Sequence, residues 1–338
     1  MSNKIIRSIC LFRNQFESKD LERIEQICQR ALSNGFQIQT RRICSPELNF
    51  PKFEQSVNNG SMLLNAGTLN FQQTLECLNN FYQTKNINFN LDLTKEKIGS
   101  EHLNVLLEII KNKPGHTFKF AYTFNNPDSS PYFPSAKYKK DGFSIGLQPT
   151  DLAEGCNTLD EWLQNMKVVW NEIFELYKDE PDFLGLDTSI APIFKGSGSM
   201  IDFIRKIKGD FSRSATTDIY MQITKFIKEE NPKLTGLSGI MFPALEDFLL
   251  AEEYEAGNFS IERNIYLSLH SGLGIDTYPI GIDENPEKVL DILKTVQGLS
   301  NKYSKPLSVR FVSDGKAKIG DKTDFQNQYL MDVVVRAF

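Results

Sequence analysis

Apolar positions along this chain repeat with two periods that alternate from one segment to the next. KIIRSICLF (residues 4–12) is an apolar run of strand length, and residues 18–32 carry Leu21, Ile24, Ile27, Cys28 and Leu32 at helical spacing. Asn34 and Gly35 supply a helix stop, after which FQIQTRRI alternates as a second strand. The chain thus opens β-α-β. Downstream the pattern predicts a helix over 69–81, a strand over 87–93, a helix over 101–111 closed by Lys113, Pro114 and Gly115, and the strand FKFAYTF. The strand GFSIGL follows a break. Thr158 and Glu161 then form a T-x-x-E capping box ahead of a helical stripe of Trp162, Met166, Val169, Ile173 and Leu176. After a strand around Leu184 come helices over 200–207 and 215–229, a strand over 236–242, and helices over 244–255 and from about 258 to 270. A helix over 286–303, the inner strand PLSVRFV and a terminal strand YLMDVVVRAF complete the reading. The alternation predicts a parallel-rich α/β architecture, taken as a single domain over 1–338.

Two stretches interrupt the pattern. Residues 125–141, NNPDSSPYFPSAKYKKD, form a long irregular loop whose prolines and aromatic residues favour an ordered, functional loop over a linker; a domain boundary is the alternative. The expectation is a lid covering one end of the fold. The second, KGSGS (195–199), precedes a helix, and Ser199 with Asp202 resembles a capping pair. It lacks a Walker lysine-serine pair, and Ile201 stands where G-x-G-x-x-G requires its third glycine, so a phosphate cradle has little support.

Composition narrows the class. A formal net charge of -5 over 338 residues, with 38 basic side chains scattered rather than striped, argues against a nucleic-acid partner. No apolar run is long enough for a bilayer, and the first residues reach Arg13 too soon for a signal-peptide core. The protein is therefore expected in a reducing cytosol. Cys10, Cys28, Cys44, Cys77 and Cys156 form no CxxC pair and read as buried free thiols. His102 and His116 have no partner at ligand spacing and read as surface residues. The expected partner is a small molecule, with a homodimer left open.

Three stretches are built alike, FLGLDTSIAP (183–192), TGLSGIMFPALED (235–247) and LSLHSGLGIDTYPIGID (267–283). Each is a short apolar run with small residues that delivers an acid near a proline, and strand ends are where α/β proteins keep their chemistry. Together with IRSICLF and GFQIQTRRICSP, PYFPSAKY before FSIGLQPTDL, and KPLSVRFVSDGKAKIGDKTDF, they resemble the DUF711 family, also labelled UPF0210, in the same order along the chain. The resemblance implies a barrel similar to pyruvate formate-lyase and related glycyl radical enzymes: two parallel half-sheets, antiparallel to each other, wrapped in helices. Fold similarity is only an analogy for function. Radical chemistry needs a glycine in a C-terminal loop facing a thiol, yet DVVVRAF has no glycine and no cysteine lies in the three stretches. Where family members carry Cys before the Gly-x-Gly of the third stretch, this chain has Ser271. Glycyl radical and cysteine-dependent mechanisms are not expected.

Within such a barrel, Asp187, Glu246, Asp247 and Asp276 would converge at one mouth and divide general acid and base roles, or bind a divalent cation, with Asp247 and Asp276 as its ligands. Ser189, Ser271 and Thr277 would orient the substrate, while Arg310 and Lys316 would meet its carboxylate or phosphate. His270 is either a base beside Asp276 or a partner of a helix C-terminus. The structural alternative makes the acids caps and turn anchors, above all Glu246 and Asp247 in a first helical turn. Converging acids repel, so Asp276→Asn is expected to abolish function without loss of stability. The reading is an enzyme acting on a small polar or anionic metabolite by carboxylate acid-base or metal-assisted chemistry; the alternative is a non-catalytic ligand-binding or regulatory protein.

Overall fold

The computed structural model describes residues 4–57 and 60–338, and its ten strands belong to one sheet. These are β1 (Ile5–Phe12), β2 (Gln37–Ile38), β3 (Arg41–Cys44), β4 (Met62–Leu69), β5 (Ile87–Asp92), β6 (Phe120–Phe124), β7 (Gly142–Leu147), β8 (Phe183–Asp187), β9 (Gly274–Pro279) and β10 (Leu307–Val312). Strands β1, β3, β4, β5 and β6 run parallel. β7 joins β1 antiparallel and β10 joins β6 antiparallel, while β8 lies parallel to β7 and β9 parallel to β10. Two half-sheets of opposite direction result, as the family resemblance implied.

The gap between β8 and β9 is spanned by residues 234–243, which the sequence predicts as a strand over 236–242. No regular strand forms there. Instead, isolated parallel bridges link Leu186 to Leu234, Ile190 to Ile240, Ile240 to Gly272, and Pro243 to Asp276, closing the sheet into a barrel. Gly236 and Ser238 both take positive φ, and Pro243 has no N–H to donate, so this segment cannot sustain a ladder.

Three other expectations change. β4 was hidden because SMLLNAGTL is mostly buried on both faces and holds Asn65, Ala66 and Gly67, which blur any alternation. YLMDVVVRAF is not a regular strand: among the described residues it makes a single bridge, Lys322 to Val334, although Val333 and Val335 are buried. His102 and His116 are buried; the Gly99 N–H donates to His102 Nδ1 at the start of helix Ser100–Asn112.

Helices surround the barrel. Thr158 and Glu161 do form the capping box, and helix Leu159–Tyr177 buries Trp162, Met166, Val169, Trp170 and Ile173. All five cysteines are free and buried, as the sequence predicts.

The loop 125–141 is not a lid. It leaves β6, turns back into the barrel and buries Ser130, Pro131, Tyr132, Pro134, Ser135 and Ala136 there before β7 begins. Backbone carbonyls taken from water need donors, and the barrel's inward side chains supply them. Ser8 Oγ and Arg42 Nη1 donate to the Pro131 carbonyl at 2.9 and 3.1 Å. Asn65 and Asn90 both donate to Pro134 O, and Asn90 also reaches Ala136 O at 2.9 Å. Space for the loop comes from β7, which carries Gly142, Ser144 and Gly146 at alternate positions. A Cβ on Gly146 would stand 2.9 Å from the Tyr132 ring.

Candidate functional site

At the opposite end, where β1 and β3 to β6 begin, the barrel opens into a cavity of about 490 Å³ with the loop tip as its floor. Tyr132, Phe133, Pro134 and Ser135 come from that tip. Pro243 ends the bridging segment and Glu246 follows it, and Phe118, Phe194 and Tyr329 stand among the other lining residues. Tyr329 stacks on both aromatic rings, with centroids 6.4 Å from Phe118 and 5.8 Å from Phe194.

Arg310 organises the polar side of this space. Alternation along β10 brings Ser308 and Arg310 to the cavity while Val309 and Phe311 are buried in the hydrophobic core. Its Nε donates to Asp276 Oδ1 at 2.6 Å, its Nη2 to Glu246 Oε1, and its Nη1 to the Phe118 carbonyl at 3.2 Å. The guanidinium carbon also sits 5.0 Å from the Phe118 ring centre. Arg7 approaches Glu246 Oε2 from the other side at 3.7 Å.

Two irregularities mark the strands that carry these groups. In β9 the pairing with β10 shifts between Ile275 and Tyr278, so Asp276 and Thr277 form a bulge, with Thr277 at φ 40°. In β1 the register against β7 slips between Ile6 and Ser8, leaving Arg7 as the extra residue. Bulges re-aim side chains that a regular pleat would place elsewhere.

Charge follows from this geometry. Burial pushes the Glu246 carboxyl above its ordinary range and Asp276 adds to the rise, while Arg310 and Arg7 pull it down without cancelling it. Burial works against the Arg310 cation, but the two carboxylates outweigh it and raise its pKa. A carboxyl poised upward, beside a second carboxylate at a cavity wall, has the attributes of a proton donor or acceptor.

The remaining predicted site residues lie elsewhere, and four acids do not converge. Asp187 is fully buried and accepts from Ser130 Oγ, Ser189 N and Oγ, Leu237 N and Ser238 N. It therefore satisfies the amides that the left-handed turn at 236–238 removes from the ladder, and Ser189 is bound to it. Asp247 caps helix Phe248–Glu255, accepting from Leu249 N and Leu250 N, and also takes Ser199 Oγ at 2.6 Å. The helix starts later than its sequence pattern, which frees Glu246 to face the cavity. Ser199 itself caps helix Met200–Lys208, so KGSGS serves two helix starts. Asp276 is held by Arg310 and Asp247 by its capping bonds, and among the described residues no group of three His, Cys, Asp or Glu side chains is placed to hold a metal ion.

His270 Nδ1 and Ser271 Oγ are 2.8 Å apart at the end of helix Ile261–His270, and neither lines the cavity. Thr277 is buried, and among the described residues its hydroxyl has no hydrogen-bond partner. Lys316 belongs to a turn in which its backbone N–H donates to Asp314 Oδ1. Of the predicted residues, Glu246, Asp276 and Arg310 meet at the cavity.

Comparison with known proteins places the chain. A family model described as "Uncharacterised ACR (DUF711)" matches residues 83–326. This chain belongs to the DUF711 family. A UPF0210 protein of Pyrobaculum arsenaticum is 30% identical over 102 residues, which cover 30% of this chain and 23% of that protein. The chain therefore aligns with less than a quarter of that relative's length. Among solved structures, the Actinobacillus ureae class Id ribonucleotide reductase alpha subunit aligns over 94% of this chain and 85% of its own, with TM-score 0.48 and 9% identity. Among the described residues, no helix is long and apolar enough to cross a membrane.

The DUF711 match contains Glu246, Asp276 and Arg310 but begins after Arg7 and Arg42, both of which line the cavity. Sequence reasoning missed those two. The available signal was a charged residue inside a run otherwise fit for a buried strand, IIRSICLF for one and RRIC for the other. Lys119, Phe118, Phe194 and Tyr329 were also missed; nothing local distinguishes them.

Proposed function

We propose that this DUF711 chain is an enzyme acting on a small polar or anionic metabolite bound in the barrel cavity. Glu246 and Asp276 would exchange protons with the substrate, and Arg310 would hold them in place and stabilise charge that develops beside them. The observation that carries the reading is the convergence of Arg310, Asp276 and Glu246 on the wall of a cavity large enough for a metabolite. The alternative, a ligand-binding protein without turnover, draws on the same contacts, because a carboxylate already neutralised by arginine also serves as a fixed scaffold.

The test is a thermal-shift screen of metabolites followed by NMR assay of each binder for turnover. The enzyme reading expects at least one binder to be converted, and Glu246→Gln to keep its binding while losing conversion by about 100-fold or more. Binders that are never converted by the unaltered protein would establish the alternative.

A further inference from the structure

Arg42 is the cavity's unmatched charge. It is 6% exposed, and among the described residues no carboxylate lies within ion-pair distance of it. Its fixed partners are neutral: Nε donates to Thr40 Oγ1 at 2.9 Å, Nη1 to Pro131 O, and the guanidinium lies 5.0 Å from the centre of the Phe133 ring. Nη2 has no protein partner among the described residues. Arg7 lines the same wall, with Nη1 on Gln39 Oε1 at 3.0 Å and, among the described residues, only Glu246, already bound by Arg310, within ionic reach.

A guanidinium cannot escape burial by losing its proton near neutral pH, even though burial and then the neighbouring Arg7 push the Arg42 pKa down to about 10. A buried cation beside a second, partly buried one is costly unless an anion completes them. Four cations, Arg7, Arg42, Lys119 and Arg310, line the cavity against two carboxylates, Glu246 and Asp276. The uncharged walls are apolar at Leu63, Ala121, Leu237, Met241 and Leu273, and neutral polar residues, Asn86, Asn88 and Ser308 among them, interrupt them.

We propose that Arg7 and Arg42 form an oxyanion subsite that holds the carboxylate or phosphate of a ligand whose body is apolar, docked against those walls and the Phe133 ring. This rests on the reading of the cavity as the ligand site and names the class of ligand it takes. Planar guanidinium groups match either oxyanion through paired N–H donors. The apolar side chains then receive the remainder of the ligand, and the anion fixes which end faces Arg310.

The test uses the full chain and three probes of similar shape: phenylacetate, phenyl phosphate and the neutral phenylacetamide, titrated by calorimetry. At least one anion should bind with tenfold or greater preference over the amide, and the better anion identifies the head group. Arg42→Met keeps an apolar side chain of similar length without the charge, and should lose that preference while leaving amide binding within twofold. Arg7→Met is the second variant, should Arg42→Met fail to fold for want of its bond to the loop. Equal binding of amide and anion, no saturable anion binding to the unaltered protein, or unchanged anion affinity in a folded variant would each overturn the subsite. Anion binding with no conversion of any ligand would instead overturn only the enzyme reading, and conversion of an uncharged metabolite without anion preference would overturn only the subsite.

Discussion

The two ends of the barrel interior are both polar, yet they are built on different terms. At the end filled by the loop 125–141, the inward side chains Asn65 and Asn90 are neutral amides taken up by backbone: Asn90 alone donates to Pro134 O, Ala136 O and Gly67 O and accepts from Thr123. At the open end the inward groups are charged, and the protein leaves some unmatched, Arg42 above all. Neutral polar groups saturated by backbone stabilise a fold, whereas buried charges are costly to retain and need another justification. The difference separates architecture from candidate chemistry inside one continuous barrel, without appeal to the identity of any ligand.

The largest expected effect comes from breaking the charged end. Arg310→Met leaves Asp276 and Glu246 without their shared cation and should cost about 3–5 kcal/mol in urea unfolding at pH 7. A loss below about 1 kcal/mol would show that the carboxylates are not held as a unit. Arg310 also reverses the expectation for Asp276. The acid has one carboxylate neighbour, Glu246, and Arg310 binds both, so Asp276→Asn should weaken the fold rather than relieve it.

Next in size is the neutral end. Asn90→Leu should destabilise by roughly 2–4 kcal/mol, since it strips donors from buried carbonyls of the loop. Limited proteolysis at residues 125–141 should then begin well before global unfolding. A variant as stable as the parent would mean that the loop is seated by packing alone.

The smallest effect sharpens the line between the acids at the cavity and those elsewhere. Asp247 is fully buried, and burial raises its pKa from 3.8 to about 6 despite its capping bonds. The folded chain therefore binds the proton more tightly than the unfolded one. This contribution to stability is complete below about pH 4 and is lost as pH rises through about 6, on the order of 2–3 kcal/mol. Asp247→Asn keeps a capping oxygen without the titration, so its stability should vary less between about pH 4 and pH 6.5. An unchanged slope in paired urea titrations would remove Asp247 as the source.

Much of the barrel was legible because most elements repeat a period: the longer helices, β1, β5, β7 and β10 follow their apolar spacing, whereas the short helix Phe50–Val57 was not read. What periodicity does not record is where the period breaks. β4 hides behind small residues, and the bridging segment 234–243 looks like a strand until Gly236, Ser238 and Pro243 interrupt it. The bulges at Arg7 and at Asp276 depend on partners far along the chain, so no local pattern announces them. Similar acid-bearing stretches also conceal different fates. Asp187 completes a broken ladder, Asp247 caps a helix, and Asp276 reaches Arg310, a contact spanning residues that only the closed barrel brings together. The five thiols, by contrast, were recoverable from composition and spacing alone.

The inserted loop has a mechanical consequence. It lies in sequence between the two half-sheets, leaving the end of β6 and entering β7. Among the described residues the half-sheets pair directly along two seams, β1 with β7 and β6 with β10. Through the centre, the loop ties them again: Pro131 and Pro134 receive bonds from the first half, while Ser130 donates to Asp187 and Tyr132 OH to Leu147 O in the second. It acts as a keystone, transmitting load across the hollow so that neither half can splay without dislodging it. The cavity floor is consequently one of the best-braced surfaces in the molecule, and a ligand resting on it is supported from both sides at once.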